Sequence, residues 1–485
     1  MGLAYNPSMP NVVVLRLRDL LTRQRGSFIQ RLLHVVFGIA LRLFFRRIET
    51  DGAALVPLEG PLVFVINHPN GVIDPALVFC SLPRRVSFLA KSTLFRLPVL
   101  RFLLREVEAL PLYRRIDEGE NPALNNLTFA ACRRLLRRGR CIALFPEGVS
   151  HSATYLLPVK TGAARIALGA LSTTGEEQDE TAAARGGAFA SLQIVPVGLY
   201  YTSKTSFRSE ALIRFGPPFD VFPTRLDPRG EPLPEDVRRL SEQIDAELRQ
   251  VTLNVENTET LETVAKAEQL FSSIYETINF RHTLADEFDL RRRVAARLAV
   301  RQDAGPATRL GQRILEYEAE LSTLGIEPEN LSVLAHSRWY VFRHLLIKSA
   351  LLLLLAPLSF VGAVIHLPAF VTCFLLSLLF RRHGPDEIES TVKILAAMLL
   401  MPLTWLVLLF VVWYWWNWRS AIIIIPCIIA CGYVAMRSLE ELFDMRGWLR
   451  AGLILLQQRR AFFRLLRARG ALHREIKKYL EAAGQ

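Results

Sequence analysis

Short apolar runs alternate with helical stretches between residues 50 and 225. The runs PLVFVIN (61–67), RVSFLAK (85–91), CIALFPEG (141–148) and SLQIVPVGLYY (191–201) have the length and composition of buried strands, and ALPLYRR (109–115) has those of a shorter one. Helical patterns occupy about 122–138 and 161–171. This alternation predicts an α/β domain over 50–225, with a mostly parallel sheet flanked by helices.

Two helical regions flank this predicted domain. Residues 1–49 mix arginines with apolar residues, and the apolar run Leu32–Leu41 is shorter than the roughly 20 residues of a membrane span. We therefore expect amphipathic helices at a membrane interface, the alternative being a soluble helix packed on the next domain. Residues 226–345 are polar, with PEDVRRLSEQIDAELRQV as the clearest amphipathic stretch, and predict a soluble helical extension.

Long uncharged runs fill residues 346–440 and predict three or four transmembrane helices. The first, Ser349–Phe380, is interrupted by Pro357, Gly362 and Pro368; the second ends in the interface-type aromatic cluster WYWWNW. The N-terminus and the tail, 441–485, are both rich in arginine. The positive-inside rule puts both, and the α/β domain, on the cytoplasmic side. An even number of crossings follows, and we favour four, as two hairpins.

Composition narrows the classes of partner. The chain has 59 Lys plus Arg against 46 Asp plus Glu, a formal net charge of +13, which favours anionic partners. Hydrophobic residues make up 51%, which argues against a soluble nucleic-acid-binding protein and for a membrane protein with a basic face. The six cysteines are scattered without zinc-type spacing, so we expect buried free thiols and no metal site.

Four short blocks carry the candidate chemistry: NHPNGVIDP (67–75), ALPLYRR (109–115), FPEGVSH (145–151) and IVPVGLYY (194–201). Each is weak alone, because a histidine after a strand is more often structural than catalytic. His68 and Asp74 could form a catalytic pair or hold a metal, or Asp74 could simply cap a helix. GVSHS lacks the second glycine of a hydrolase nucleophile elbow, and VKTG lacks the glycines of a P-loop.

In this order and spacing the four blocks resemble the glycerolipid acyltransferase superfamily. Two features depart from its common pattern: five residues separate His68 from Asp74, and the third block ends in Val149, Ser150 and His151. Both departures, and the segment LLPVKTGAARIAL (156–168), resemble one branch. It comprises the fungal-type glycerol-3-phosphate and dihydroxyacetone-phosphate acyltransferases and their bacterial relatives.

The resemblance implies a catalytic pair in the first block. Acyl transfer from a thioester to an alcohol needs a base near the hydroxyl, and histidine suits this work near neutral pH. His68 is then the general base, and Asp74 fixes its tautomer and stabilises the imidazolium. Asn70-Gly71 is a favoured turn pair, in which glycine at positive φ could absorb the additional residue.

The other blocks are expected to bind substrates. Guanidinium groups bind phosphate by two hydrogen bonds. By analogy with the family, the resemblance implies that Arg115 is the motif arginine, with Arg114 beside it. Glu147 and Gly148 resemble the acceptor-site block, and Pro196 a buried structural proline near the acyl-donor site. Further candidates for substrate contact are Asn67, Asn70, Ser150, His151 and Lys160.

The function implied is transfer of a fatty acyl group from acyl-CoA or acyl carrier protein to the hydroxyl of glycerol-3-phosphate, without a cofactor. Lysophosphatidate (1-acylglycerol-3-phosphate) is the alternative acceptor. The partners expected are a membrane, an acyl thioester and a phosphorylated glycerol, but no nucleic acid. A hypothesis of another class is a non-catalytic membrane tether or transport component; the C-terminal helices motivate it, but they lack the internal charge array of an ion pathway.

Overall fold

The computed structural model describes eleven parts of the chain: residues 27–82, 84–96, 98–114, 117, 119–172, 191–255, 283–300, 305–324, 338–381, 387–457 and 459–481. The chain divides into two compact units, Met1–Asn254 with Gly384–Thr391 and Val255–His383 with Val392–Gln485. The first unit contains the sheet and each candidate site residue that falls within the described ranges.

Eight strands in the described part of the first unit form one sheet. They are β1 (Arg47–Asp51), β2 (Leu62–Ile66), β3 (Val86–Lys91), β4 (Leu110–Leu112), β5 (Cys141–Leu144), β6 (Leu192–Tyr201), β7 (Glu210–Phe215) and β8 (Phe219–Val221). The helices described with them are α1 (Phe28–Phe44), α2 (Ile73–Ser81), α3 (Pro98–Glu106), α4 (Asn125–Arg137), α5 (Gly162–Leu171) and α6 (Pro234–Val251).

The sheet is mixed but mostly parallel, as its sequence predicts. The strand order is β1-β7-β6-β2-β5-β3-β4, and β8 pairs with β6. Only the pairings of β6 with β7 and with β8 are antiparallel among those described. Strand β2 lies between β5 and β6, and all five of its residues are buried. A parallel strand covered on both faces needs an unbroken apolar sequence, which explains LVFVI.

The strand register brings the first and third sequence blocks together. Val65 of β2 lies opposite Leu144 of β5, and the two strands are parallel. Both chains therefore leave the sheet at the same edge, His68 shortly after β2 and Phe145 directly after β5. Functional groups of α/β sheets collect at this carboxyl edge.

Helix α6 completes the core beneath the sheet. It begins beyond residue 225, yet Val237, Leu240, Ile244 and Leu248 belong to the same buried cluster as Val63 of β2. The amphipathic stretch that predicts a helical extension thus begins with a helix that packs in the core of the first unit.

Helix α1 carries an apolar stripe on its outer face. Ser27 caps it by accepting a hydrogen bond from the backbone N–H of Gln30 at 3.2 Å. One face of α1 is buried against the protein. The opposite, exposed face carries apolar side chains at helical spacing: Phe28, Leu32, Val36, Ile39 and Leu43. Such a stripe, bordered by arginines, supports the proposal that α1 lies in a membrane interface; residues 1–26 of the predicted segment lie outside the described ranges.

We expect a spin label at Ile39→Cys to collide more with oxygen than with a water-soluble nickel complex when the protein is in liposomes. The reason is that the outer stripe of α1 would lie among acyl chains, where oxygen partitions. The measurement is EPR power saturation in a background with Cys427 and Cys431 replaced by serine. Leu127→Cys, exposed on α4, is the matched control and should favour the nickel complex. Equal accessibilities at the two sites would contradict the interfacial position.

The chain continues through six more helices. They are α7 (Leu284–Val300), α8 (Gly305–Leu324), α9 (Arg338–Arg381), α10 (Glu387–Trp415), α11 (Trp418–Gln457) and α12 (Arg459–Glu481). Within the described ranges, three of them contain segments long and apolar enough to cross a membrane: Leu345–Leu379, Thr391–Trp415 and Trp418–Phe443.

Three candidate segments agree with the expected three or four helices, and the preference for four crossings stays a prediction. Pro357, Gly362 and Pro368 predict interruptions of the first apolar run. Helix α9 instead runs through all three positions. Proline is tolerated inside apolar helices because neighbouring groups satisfy the carbonyl that it leaves free.

Helices α9 and α11 pack as an antiparallel pair. Lys348 near the start of α9 forms an ion pair with Glu441 of α11 at 2.5 Å, and Ser359 donates a hydrogen bond to Ser438 at 2.8 Å. Helices α8 and α12, which lie before α9 and after α11 in the chain, are joined by ion pairs Arg313–Glu475 and Glu320–Arg464.

Candidate functional site

His68 and Asp74 meet at the carboxyl edge of the sheet. His68 Nδ1 lies 2.8 Å from Asp74 Oδ2, and the carboxylate is 0% exposed while the histidine side chain keeps 18% of its surface. A carboxylate can only accept here, so Nδ1 carries the proton and Nε2 is the ring nitrogen with a free lone pair. His68, whose side chain is partly exposed, can therefore act as a base through Nε2.

The turn between the two residues explains how five intervening positions are accommodated. Gly71 has φ of 46°, in the left-handed region, and Asp74 lies in the first turn of α2. The backbone N–H of Asn70 donates to Asp74 Oδ2 at 2.7 Å. The chain thus turns sharply at glycine and returns the carboxylate to the histidine, with a donor of the turn itself on the same oxygen.

The side chains of Asn67 and Asn70 form hydrogen bonds within the protein. Asn67 Nδ2 donates to the carbonyl of Leu199 at 3.1 Å, and Asn67 Oδ1 accepts from Leu199 N at 2.7 Å. The side chain thereby extends the pairing of β2 with β6. The Asn70 side chain is buried and donates to the carbonyl of Lys204 at 3.3 Å.

Phe145 holds the ring plane of the histidine. Its ring stacks on the His68 imidazole with 4.0 Å between centroids and 18° between planes. No rule of sequence spacing singles out this phenylalanine, although it opens the third block directly after β5. The stack restricts rotation of the imidazole about its side-chain bonds.

Glu147 lies behind the site. It is 2% exposed, and its Oε1 accepts from the backbone N–H of His68 at 2.8 Å. Its Oε2 accepts from Leu157 N at 2.9 Å and contacts His151 Nε2. These hydrogen bonds connect the first block to the third, and the expected contact of Glu147 with glycerol hydroxyls stays a prediction.

Gly148 makes room for a cation. Its φ is 75°, and a Cβ built on it would lie 2.5 Å from Lys160 Nζ. Its carbonyl accepts from Arg114 Nη1 at 3.0 Å. A side chain here would be strained in the backbone and would displace Lys160, so glycine permits two cationic groups to approach one loop.

Arg114 is fixed by a buried carboxylate. Its Nε and Nη2 donate to Asp117 Oδ2 and Oδ1 at 2.9 and 3.0 Å, and Lys91 Nζ lies 2.9 Å from the same carboxylate. Hydrogen bonding from Arg114, reinforced by Lys91, lowers the pKa of Asp117. The two hydrogen bonds to Asp117 hold the Arg114 guanidinium against the loop that contains Gly148. Arg115, the preferred motif arginine, lies outside the described residues.

The end of the third block is tied to the first. The backbone N–H of His151 donates to the carbonyl of His68 at 3.1 Å, and Lys204 Nζ donates to the His151 carbonyl at 3.3 Å. Ser150 is half-buried between Gly148 and His151. Arg114, Lys160 and Lys204 thus bring positive charge to the loop 145–151, which also contacts the base.

Pro196 has a structural place in β6. It is buried opposite Val65 of β2, between the part of β6 that pairs with β8 and the part that pairs with β7. A proline lacks the N–H of a strand residue and is tolerated where a strand changes partner. Its carbonyl accepts from Gly216 N at 2.8 Å.

Tyr201 is the group that sequence reasoning missed. Its hydroxyl donates to Asp74 Oδ1 at 2.6 Å, and the ring is buried at the end of β6. Burial, followed by the charge of Asp74 and their hydrogen bond, raises the pKa of Tyr201 well above its ordinary value. The fourth block ends in this residue, but only the fold reveals its partner, 127 positions away.

The arrangement supplies a base, an oriented carboxylate and fixed positive charge beside one loop. These are the parts that transfer of an acyl group to a phosphorylated alcohol requires. Among the residues that the structure describes, no group of three or more His, Cys, Asp or Glu side chains could hold a metal ion.

Two family models match most of the chain between them. A model described as "Acyltransferase" matches residues 47–200, and one described as "Glycerol-3-phosphate acyltransferase 2 C-terminal domain" matches residues 268–484. The chain belongs to the glycerolipid acyltransferase family. The resemblance seen in the four sequence blocks is thereby confirmed, and the second model adds the C-terminal helices to the relationship.

Individual relatives agree with this placement. The chain is 24% identical to an uncharacterized acyltransferase of Schizosaccharomyces pombe over 74% of its own length and 63% of that protein. It is 25% identical to glycerol-3-phosphate O-acyltransferase 2 of Saccharomyces cerevisiae over 58% of this chain and 37% of the yeast protein. A chloroplastic 1-acyl-sn-glycerol-3-phosphate acyltransferase of Brassica napus is 26% identical over 30% of this chain and 41% of the plant protein. The chain therefore spans less than two thirds of the length of each of these three relatives.

Proposed function

We propose that this protein transfers a fatty acyl group from an acyl thioester to a hydroxyl of glycerol-3-phosphate. The observation that carries the proposal is the 2.8 Å contact between Nδ1 of the partly exposed His68 and the fully buried Asp74, which leaves Nε2 as the nitrogen that can act as a base. Family membership makes acyl transfer the reaction that such a base serves.

In the proposed step, His68 Nε2 accepts the proton of the acceptor hydroxyl as its oxygen attacks the thioester carbonyl. The new C–O bond forms and the C–S bond breaks when the tetrahedral intermediate collapses. The imidazolium returns its proton to the departing thiolate. Asp74 stabilises the imidazolium between these events, and no covalent bond forms between the acyl group and the protein.

The phosphate of the acceptor would bind near Arg114, Lys160 and Lys204. Arg114 Nη1 and Lys160 Nζ lie beside Gly148, and Lys204 bonds the carbonyl of His151 in the same loop. Phosphomonoesters need several cationic donors because they carry nearly two negative charges near neutral pH. The adjacent Glu147 joins this loop to the His68 backbone, which keeps the phosphate site in register with the base.

The C-terminal half supports glycerol-3-phosphate as the proposed acceptor. The model that matches residues 268–484 is named for a glycerol-3-phosphate acyltransferase, whereas the match to the Brassica napus lysophosphatidate-type enzyme covers only 30% of the chain. Lysophosphatidate is the second candidate acceptor, since that relative shares part of the same region. Acyl-CoA and acyl carrier protein are both proposed donors.

The proposed location is a membrane, with the first unit on the cytoplasmic side. The ion pairs between α8 and α12 require that both helices lie on one side of the bilayer. In the proposed arrangement α9 and α11 are the two crossings, which run antiparallel and keep the basic C-terminal tail with α8. The apolar helix α10 between them then lies in the membrane without making a full crossing. The positive-inside bias then favours the cytoplasm.

The test uses purified full-length protein with labelled glycerol-3-phosphate, dihydroxyacetone phosphate and lysophosphatidate in parallel, each with palmitoyl-CoA and with palmitoyl-acyl carrier protein. We expect glycerol-3-phosphate to be acylated with the highest kcat/KM. Acylation of lysophosphatidate alone would overturn the preferred acceptor, and no acylation of any acceptor would overturn the proposed activity.

We expect Arg114→Ala to raise KM for the phosphorylated acceptor about tenfold to a hundredfold, as loss of a charge-assisted phosphate contact does. KM for the acyl donor should change less than about twofold, because the thioester carries no phosphate at the reacting end. The measurement is steady-state kinetics with each substrate varied in turn. Arg105→Ala, an exposed arginine on α3, is the matched control. Equal KM values for the acceptor in both variants would contradict the assignment.

A further inference from the structure

Asp74 has a second oxygen that the catalytic pair does not use. Oδ2 accepts from His68 Nδ1 at 2.8 Å and from Asn70 N at 2.7 Å, whereas Oδ1 accepts from Tyr201 Oη at 2.6 Å. The carboxylate is 0% exposed. Water therefore cannot replace the Tyr201 hydroxyl as the donor to Oδ1. The torsion that rotates the carboxylate is soft, so the carboxylate needs a donor to fix its orientation.

We propose that Tyr201 is a positioning residue for the His68–Asp74 pair: its hydroxyl holds the Asp74 carboxylate so that Oδ2 faces the imidazole. This inference rests on the proposed acyl transfer. It assigns to the last residue of β6 a part in the reaction that neither the four blocks nor the family models specify; the "Acyltransferase" match ends at residue 200.

The position of Tyr201 is determined from several sides. Strand β6 runs beside β2 up to the pair Ile66↔Val197, and Asn67 continues the pairing by bonding both backbone groups of Leu199. Tyr201 also lies opposite Ala211 of β7, and its ring stacks on Phe45 with 5.6 Å between centroids. The phenol is thus fixed before any substrate binds.

The electrostatic surroundings suit a donor that never ionises. Asp74 is contacted by a histidine, a backbone N–H and a phenol, and among the described residues none of these partners is a permanent cation. Burial and the neighbouring carboxylate raise the pKa of Tyr201, which keeps its proton throughout the physiological range. The hydrogen bond from Tyr201 also draws part of the carboxylate charge away from the imidazole, because three donors share one anion.

The first test compares Tyr201→Phe with wild type in the full-length enzyme, with glycerol-3-phosphate and palmitoyl-CoA as substrates. We expect kcat to fall about tenfold to a hundredfold, the range for a lost hydrogen bond to a charged group, with both KM values within about twofold. The acidic limb of the kcat/KM profile should move to higher pH, since the full carboxylate charge then acts on the imidazolium. An unchanged kcat or an unchanged acidic limb overturns the proposal.

The matched control is Tyr200→Phe. Tyr200 is the preceding strand residue, so its side chain leaves the opposite face of the sheet. We expect its kcat and its pH profile to match those of wild type. The same loss in both variants would show that removal of any phenol at this strand end is harmful and would overturn the assignment to Tyr201.

A double-mutant comparison separates positioning through Asp74 from a general structural effect. If Tyr201 acts only through the carboxylate, Tyr201→Phe should cause no further loss of kcat in an Asp74→Asn background. A loss by the same factor in both backgrounds would mean that the phenol supports the fold and not the pair.

A spectroscopic readout needs no turnover. The proton between His68 Nδ1 and Asp74 should give a low-field ¹H NMR signal that is absent from His68→Ala and moves further downfield in Tyr201→Phe. A signal that does not move overturns the positioning role. If wild type acylates no acceptor, the proposed function fails, while this signal still decides whether Tyr201 acts on the pair.

Discussion

Replacing His68 with alanine should lower kcat by at least about a thousandfold, which in a membrane assay amounts to loss of acyl transfer. An alcohol near neutral pH is a poor nucleophile, and His68 Nε2 is the ring nitrogen left free when Nδ1 bonds Asp74. The measurement is transfer of labelled palmitate to glycerol-3-phosphate by purified wild type and variant.

The fold should survive this substitution. The contact of position 68 with Glu147 is made by its backbone N–H, which alanine retains, and the side chain is only partly buried. Thermal unfolding in detergent should therefore shift by no more than a few degrees. Turnover within tenfold of wild type would remove His68 from the mechanism, and an unfolded variant would be evident from the same melting curve.

Glu147→Gln should destabilise the first unit by about 3 kcal/mol, because a buried group with several donors around it loses one acceptor oxygen. The carboxylate accepts from His68 N and Leu157 N and contacts His151. A glutamine can accept through one oxygen only, and its NH₂ group would face a donor at the other position. The measurement is the free energy of unfolding in urea.

The matched control for Glu147 is Glu242→Gln on α6. Glu242 and its partner Arg238 keep 70% and 79% of their side-chain surface, so this variant should change stability by less than about 0.5 kcal/mol. If Glu147 instead bound the glycerol hydroxyls, Glu147→Gln would raise KM for the acceptor and leave the unfolding free energy unchanged. That pattern would contradict the structural role described for Glu147.

The sheet and the catalytic pair could be predicted from local patterns. Strand β2 is a run of five apolar residues because the strand is covered on both faces, and such a run is visible in the sequence. His68 and Asp74 are close in the chain, so a turn at Gly71 is enough to bring them together. Arg114 and the third block follow the C-terminal ends of β4 and β5, so the sequence also predicts that they lie at the same edge of the sheet as His68.

The remaining parts of the site depend on tertiary packing. Tyr201 reaches Asp74 across 127 positions, and the pairing of β6 with β2 and β7 fixes that distance. Glu147 is a polar residue in a loop and therefore predicts a substrate contact, but its partners come from the first block and from the chain that follows Glu147. The continuity of α9 through Pro357 was not predictable from local propensity, since an apolar surrounding changes the cost of a helical proline.

The central claim is direct transfer of the acyl group, with His68 acting as base on the acceptor. Rapid-quench measurement of thiol release from palmitoyl-CoA by wild type, with and without glycerol-3-phosphate, tests it most directly. We predict no thiol release above the His68→Ala rate without acceptor, and one thiol for each acylated product when the acceptor is added. A burst of thiol equal to the enzyme concentration in the absence of acceptor would reveal an acyl-enzyme and contradict the account.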